Sequence, residues 1–206
     1  MSGSPPVHFI EVTTRALEGL PDARGDSVRS MLAADHGIEV GNVRVSLGYQ
    51  VQAEMTSEQI ERTVYDLFAD PVIEQGSCNG TLLEAIEIFP SSPEAAIQVG
   101  FKPGVTDNAG QAGLDGLLTL YPKLRNAAQV ATSRTYLFWD VPEGIELSQL
   151  ADILHNPMIE RCAYADADDC AGGRWPSLPF PARPPAVFAE PAVIDLEVSD
   201  EELLEI

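Results

Sequence analysis

The chain has 206 residues, 45% of them hydrophobic, which is enough to bury a core in one large domain or two small ones. Its 12 Lys and Arg against 32 Asp and Glu give a formal charge of −20, which would repel a phosphate backbone and argues against nucleic acid as a partner. The apolar runs are shorter than the roughly 20 residues of a membrane span, and residues 1–9 lack the pattern of a signal peptide. Three cysteines without C-x-x-C spacing fit a reducing compartment, so we expect a cytoplasmic protein with no membrane partner.

Strands and helices alternate along the first half of the chain, as its apolar periodicity shows. The predicted elements are, in chain order, a strand at 8–14, a helix near 24–35, strands at 42–47 and 49–55, a helix near 57–69 that begins at the cap region 56–58, and a strand at 84–89. The order β-α-β-β-α-β is that of an antiparallel four-stranded sheet covered on one face by two helices.

The second half predicts the same order. Its elements are a strand at 97–101, a helix capped by Asp107 or Asn108 and ended by Pro122, strands at 128–132 and 135–141, a helix at 146–157 closed by its Asn-Pro end, and an extended segment at 158–166. The apolar helix positions are Leu114, Leu117, Leu118 and Tyr121 in the first helix and Leu147, Leu150, Ile153 and Leu154 in the second. We therefore expect an α+β fold of two tandem units, each an antiparallel sheet with two helices on one face.

The two halves also match in sequence at a nearly constant offset. ADPVIEQ at 69–75 lies over HNPMIER at 155–161, 86 residues later, and VRVSLGYQV at 43–51 lies over VATSRTYLF at 130–138, 87 residues later. Further matches place Arg15 on Lys102 and Asp22-x-x-Gly25 on Asp107-x-x-Gly110. These ordered matches indicate an internal duplication, in which two copies can bury their open sheet faces or join their sheet edges.

The composition changes after residue 171. Residues 171–193 contain many prolines, which cannot sustain a helix or a central strand, so we expect an extended arm or linker. A capping box, Ser199-x-x-Glu202, then starts a further helix. We divide the chain into a first repeat at 8–90, a second repeat at 95–170 and a Pro-rich acidic tail at 171–206.

No set of residues meets the requirements of a catalytic site. His8, His36 and His155 are far apart in sequence and share no motif, and His155 suits a helix end. Cys78 follows QGS in a predicted loop and has no adjacent basic residue to lower its pKa. We therefore expect no catalytic residue in the chain.

Two loop-like patterns imitate ligand sites without completing them. DADD at 166–169 begins like a calcium loop, but Ala171 and Ser177 occupy the turn position and the bidentate-glutamate position, so we interpret it as an acidic solvated turn. Gly113 and Gly116 favour close helix packing over a phosphate cradle. Cofactors and metals are therefore not expected.

The pattern V-G-F-K-P-G-V-x-D-x-x-G, followed by a helix and closing with N-P-x-I-E, resembles the PurS subunit of phosphoribosylformylglycinamidine synthase, an enzyme of purine synthesis. The resemblance covers residues 96–165 well and residues 8–89 more loosely, because RALEGLPDARG departs from the lysine-glycine turn. Residues 195–206, DLEVSDEELLEI, look like the start of the large synthetase domain of the same enzyme. The resemblance implies a non-catalytic, dimerising small subunit that joins a glutamine amidotransferase subunit to an ATP-dependent synthetase subunit and helps ammonia pass between them.

Other functions remain open at this stage. Tandem β-α-β-β-α-β units of the ACT type bind small metabolites, and PGVTDNAG at 103–110 can serve as their ligand-contacting turn. A stand-alone enzyme has only Cys78 in its favour. The chain can equally be a free tandem subunit, with homo-oligomers possible, or the N-terminal part of a fused synthase.

The segment Lys102-Pro103-Gly104 is the candidate partner interface. Pro103 fixes one backbone angle, and Gly104 can take the positive φ of a type II turn. Lys102 has no evident structural duty and is a rare cation in a chain of charge −20, so we predict that it contacts an acidic patch on a partner subunit.

Overall fold

The computed structural model describes residues 4–15, 22–79 and 91–182, and these residues form an α+β fold. The strands are β1 (Val7–Thr14), β2 (Asn42–Gln52), β3 (Glu74–Cys78), β4 (Ala95–Phe101), β5 (Gln129–Trp139) and β6 (Glu160–Asp166). The helices are α1 (Ala23–His36), α2 (Ser57–Thr63), α3 (Asn108–Leu120), α4 (Leu147–Leu154) and α5 (Ala167–Ala171). A π-helical turn, Val64–Phe68, prolongs α2, and a 3₁₀ turn, Pro122–Leu124, follows α3.

The six strands form one antiparallel sheet in the order β3-β1-β2-β5-β4-β6. The first half of the chain supplies β3, β1 and β2, and the second half supplies β5, β4 and β6. Because β2 pairs with β5 along its whole length, the halves join at their sheet edges rather than stacking face to face.

The register of this sheet repeats the offset found in the sequence. Leu47 of β2 lies opposite Arg134 of β5, which is its own counterpart 87 residues later. Val12 pairs with Leu47 in the first half, and its counterpart Val99 pairs with Arg134 in the second. The pairing pattern is therefore that of an approximate twofold axis through the Leu47–Arg134 pair.

Four helices cover one face of the sheet and form two apolar clusters. In the first cluster α1 and α4 pack on the central strands, where Ile97 and Phe138 are fully buried. In the second, α2 and α3 pack on β1 and the end of β2. Burying one such side chain contributes about 1.5 to 3 kcal/mol, so the strand and helix residues of the two clusters together stabilise the sheet against its helices.

The opposite face of the sheet is partly covered by the chain that follows β6. Trp139 and Cys170 are buried there in a small third cluster, with Trp175 packed against it. Leu178 lies between two glutamines: the Gln50 side chain donates to its carbonyl at 2.7 Å, and its N–H donates to the Gln98 side chain at 2.7 Å. Residues 174–182 have no regular secondary structure, and the tail beyond them, with the predicted capping box, lies outside the described residues.

The structure corrects three sequence predictions. Where two strands were expected between the helices of each half, one continuous strand forms, because the in–out alternation of β2 runs through Gly48 without a turn.

β3 was predicted as a loop, since EQGSC is short and polar, yet it pairs with β1 at the sheet edge. The acidic stretch 166–169 is solvent-exposed as expected, but it forms the start of α5 rather than a turn, and the Asp166 side chain caps this helix by accepting from Asp169 N. The predicted strand at 84–89 lies outside the described residues.

Candidate functional site

The turn Lys102-Pro103-Gly104 lies exposed between β4 and α3. Val105 N donates to the Lys102 carbonyl at 3.2 Å, which closes the turn, and Gly104 has a φ of +87°. The positive φ expected for Gly104 is confirmed. Residues with a Cβ atom disfavour this backbone conformation.

Replacing Gly104 by valine should therefore lower the free energy of unfolding by about 1 kcal/mol or more. Gly104→Asn is the matched variant, because asparagine tolerates a positive φ better and should lose less. Urea denaturation measures both, and equal stability of the valine variant and the native chain would contradict the argument.

Lys102 does have a structural contact, contrary to the sequence analysis. Its backbone N–H donates to the Ile159 carbonyl at 2.9 Å, and its ammonium donates to the Pro157 carbonyl. Its counterpart Arg15 makes the equivalent backbone bond to Ile73 and adds a bond from its side chain to the Glu74 carbonyl, at 2.9 Å each. In each half, the basic residue that follows the first strand is thus hydrogen-bonded to the turn that precedes the last strand.

That second turn is the same in both halves and explains the matched heptapeptides. In HNPMIER, the Asn156 side chain accepts from Met158 N at 3.0 Å, and Glu160 accepts from Asn156 N at 2.8 Å. In ADPVIEQ, Asp70 accepts from Val72 N at 2.8 Å, and Glu74 accepts from Asp70 N at 3.0 Å. The buried glutamate locks each turn, and the residue after proline is held at its apex.

In each half an arginine forms an ion pair with the buried glutamate of this turn. Arg24 of α1 pairs with Glu74 at 2.7 Å, and Arg134 of β5 pairs with Glu160 at 2.5 Å. These arginines are not counterparts in the duplication, since residue 47 corresponds to Arg134. Both halves therefore have a buried glutamate paired with an arginine at this turn, but the arginine comes from a different element in each half.

A groove of about 490 Å³ opens beside the Lys102 turn. It lies where β4 has ended and the first residues of β5 have no neighbouring strand on that side. Its lining residues are Phe101, Lys102, Gly104, Val105, Thr106, Asp107, Asn108, Gln111, Leu114, Ala128, Gln129, Val130, Ala131, Phe180 and Pro181. The mixture of amide, hydroxyl and apolar groups can hold a small molecule or a protruding side chain.

Asp107 fixes the wall of this groove. It caps α3 by accepting from Gly110 N at 2.7 Å, and it accepts from Thr132 N at 2.6 Å and from the Thr132 hydroxyl at 2.9 Å. The counterpart Asp22 accepts from Val45 N at 3.4 Å. In both halves the aspartate of the Asp-x-x-Gly pattern therefore joins the residue before a helix to a strand, and Asp107 in addition caps its helix, whereas the Asp22 side chain makes no cap hydrogen bond.

None of the three cysteines is activated. Burial, with nearby Asp166 and Asp169, raises the pKa of the Cys170 thiol to about 11, and burial first and a nearby carboxylate second raise the pKa of Cys78 and of Cys162. All three are thus held as thiols at neutral pH, which is the opposite of what a nucleophile requires.

We expect iodoacetamide at pH 8 to alkylate each cysteine more slowly in the folded protein than in urea, with fully buried Cys170 slowest of the three. Peptide mass spectrometry over time gives the three rates separately. A Cys78 that reacts faster in the folded chain than in urea would overturn the assignment of an unactivated thiol and reopen a catalytic role for it.

The histidines are not brought together. His155 contacts the Ala151 carbonyl at 2.5 Å through its ring nitrogen, which fits the expected position at a helix end, while His8 contacts the Ala53 carbonyl and His36 ends α1. Over residues 4–15, 22–79 and 91–182, no group of three or more His, Cys, Asp or Glu side chains is arranged to hold a metal ion. Across the same ranges no helix has the length and apolarity to cross a membrane.

The sequence predicts a site at the 102–104 turn but not at its companion turn. Met158 and Ile159 are exposed beside it, and the repeated Pro-apolar-Ile-Glu pattern is the sequence signal that marks them. Comparison of the chain with models of protein families, with curated proteins and with solved structures gives no match.

Proposed function

We propose that this chain is a non-catalytic small subunit or N-terminal domain of phosphoribosylformylglycinamidine synthase. In this role it acts in the cytoplasm, bridges the glutaminase and the synthetase, and supports ammonia transfer between them. The observation that carries the proposal is the approximate twofold pairing of the halves through β2 and β5, because one chain then reproduces the dimer that the resemblance implies.

A second observation supports the same reading. The two parts of the resembling pattern, K-P-G at 102–104 and N-P-x-I-E at 156–160, are more than 50 residues apart in sequence and in direct contact in the fold. Residues that build one surface from two distant segments are suited to recognition, and that surface contains no reacting group. In this proposal the repeats 8–90 and 95–170 descend from one β-α-β-β-α-β module whose two middle strands are continuous in β2 and β5.

The test is reconstitution with the purified glutaminase and synthetase subunits of the enzyme. We expect glutamine-driven amidation of formylglycinamide ribonucleotide to require the chain, whereas amidation driven by added ammonium salt should proceed without it. The ammonium reaction is the control for an intact synthetase. Equal glutamine-driven rates with and without the chain would refute the bridging role.

The groove beside the Lys102 turn favours a second candidate function, a tandem ACT-like module that binds a small metabolite. Gly104 to Asn108, which belong to the predicted ligand-contacting turn at 103–110, line this groove. A ligand present at 100 times its Kd would stabilise the fold by about 2.7 kcal/mol. Thermal melts with millimolar amino acids and purine nucleotides separate the two candidates, since a bridging subunit should show no rise in Tm with any of them.

A further inference from the structure

The two locked turns expose a matched pair of apolar residues at opposite corners of the sheet. Met158 is 81% exposed and Val72 is 74% exposed, and each is followed by a partly exposed isoleucine, Ile159 or Ile73. Scattered apolar residues on a surface need no explanation, but the same adjacent pair held at the apex of the same turn in both halves does. We call the residues 157–159 and 71–73 the second apex and the first apex.

The surroundings of the two apices have diverged in charge. Three positions beside the second apex are His155, Asn156 and Arg161, where the first half has Ala69, Asp70 and Gln75. The second half thus loses a carboxylate and gains a guanidinium. Together with Lys102, which contacts Pro157, Arg161 makes the second apex a cationic corner of a chain whose net charge is −20.

These two cations are held in place by backbone carbonyls. Arg161 donates to the Phe101 carbonyl at 3.2 Å and to the Pro179 carbonyl, while Lys102 donates to the Pro157 carbonyl. Within the described part of the chain neither takes part in an ion pair. Their positive charge is therefore available to a partner, and their side chains lose little entropy on binding.

We propose that the second apex, with Lys102 and Arg161 at its rim, docks into an apolar pocket bordered by carboxylates on the synthetase subunit. This inference rests on the proposed function. Opposite charges at the rim select the partner and steer its approach, while the exposed methionine and isoleucine supply the apolar contact. The synthetase is favoured over the glutaminase because Phe180 and Pro181, which precede the synthetase-like residues 195–206, line the groove at this same corner.

The duplication provides its own control. The first apex has the same turn, a similar exposed side chain and the same locking glutamate, but it has Asp70 where the second has Asn156. An acidic-rimmed pocket should reject it, since like charges brought together at an interface oppose binding. Substitutions at the two apices thus change similar pairs of exposed apolar residues on the same type of turn, at two corners whose charged neighbours differ.

The experiment titrates purified synthetase with the native chain, with Met158→Ser/Ile159→Ser and with Val72→Ser/Ile73→Ser. We expect the second-apex variant to bind about tenfold or more weakly and the first-apex variant to stay within about twofold of the native Kd. Circular dichroism and thermal melts check that both variants fold. Equal losses in the two variants, or a Kd unchanged by the second-apex variant, would overturn the assignment.

A charge variant gives an independent readout. Lys102→Glu should weaken binding at low salt and reduce its salt dependence, whereas Lys123→Glu, an exposed lysine away from this corner, should leave both unchanged. If the two charge variants behave alike, the rim has no role. Failure of the native chain itself to bind the synthetase would refute the proposed function, whereas binding that ignores the second apex refutes only this inference.

Discussion

Replacing Gly25 by alanine should lower the free energy of unfolding by about 2 kcal/mol or more. Gly25 is buried in the first turn of α1, directly over β2, and a Cβ built on it would lie 1.9 Å from the Val43 carbonyl oxygen. That oxygen belongs to the backbone of a central strand, so it cannot turn aside as a flexible side chain would. The helix start has to move off the sheet.

The sign of this effect makes it diagnostic, because an alanine that replaces a helical glycine ordinarily stabilises the fold by about 1 kcal/mol. Ser30→Ala, on the exposed side of the same helix, is the control and should change the stability by no more than about 0.5 kcal/mol. Urea unfolding followed by circular dichroism gives both values. A Gly25→Ala variant as stable as the native chain would mean that α1 does not lie against Val43.

The sequence predicted the features that depend on local pattern. The four longer helices occur where apolar residues recur at three to four positions, and Asp107 caps α3 as its position before the helix suggested. The glycines of α3 also have the packing role expected of them, since a Cβ on Gly113 or Gly116 would meet Phe68 or Leu67 of the neighbouring π-helical turn. Such features follow from residues close together in the chain.

Features that depend on distant partners were not predictable in the same way. Nothing in EQGSC marks β3 as a strand, and its pairing with β1 is visible only through its counterpart β6, which has the same place in the other half. The repeat could therefore have identified β3, since the matched heptapeptides lead into both strands. The sequence left two outcomes open: the halves could stack by their sheet faces or join by their sheet edges. They join by their edges, through β2 and β5.

The candidate site shows the same difference between features set by neighbouring residues and features set by distant ones. The sequence identified the turn at 102–104 from its Pro-Gly chemistry, but the contact with Pro157 and Ile159 joins segments that only the fold brings together. Because of that contact, the Lys102 ammonium has a structural partner as well as a proposed binding role. The same fold shows why the Pro-apolar-Ile-Glu pattern recurs: the glutamate and the Asp or Asn before the proline hold the turn, which leaves the apex residue free to differ between the halves.

Duplication in one chain has a functional consequence that a dimer of identical subunits lacks. Identical subunits present the same surface twice, whereas covalently joined copies can change independently. Here the locks of the two turns are retained, while the residues around their apices have changed in charge and size. In the proposed bridging role, this asymmetry would let one corner suit one partner without altering the other corner.

Replacing Asp107 by alanine should destabilise the fold by about 3 kcal/mol, a larger loss than the one expected for Gly25→Ala. The carboxylate accepts from Gly110 N at the start of α3 and from the N–H and hydroxyl of Thr132 at the edge of β5, all within 2.9 Å. Hydrogen bonds to a charged group are worth more than neutral ones, and the truncation leaves the helix start and the strand edge unpaired together.

Asp115→Ala is the matched control, because it removes the same charge from the same helix at an exposed position. Its carboxylate accepts from the Gln111 side chain four residues earlier, a pair worth about 0.2 to 0.5 kcal/mol. A loss at Asp107 that greatly exceeds the loss at Asp115 locates the effect in the clamp between α3 and β5 rather than in net charge. Equal losses in the two variants would show that the strand edge at Thr132 holds its register without the clamp, and the wall of the groove would then need another support.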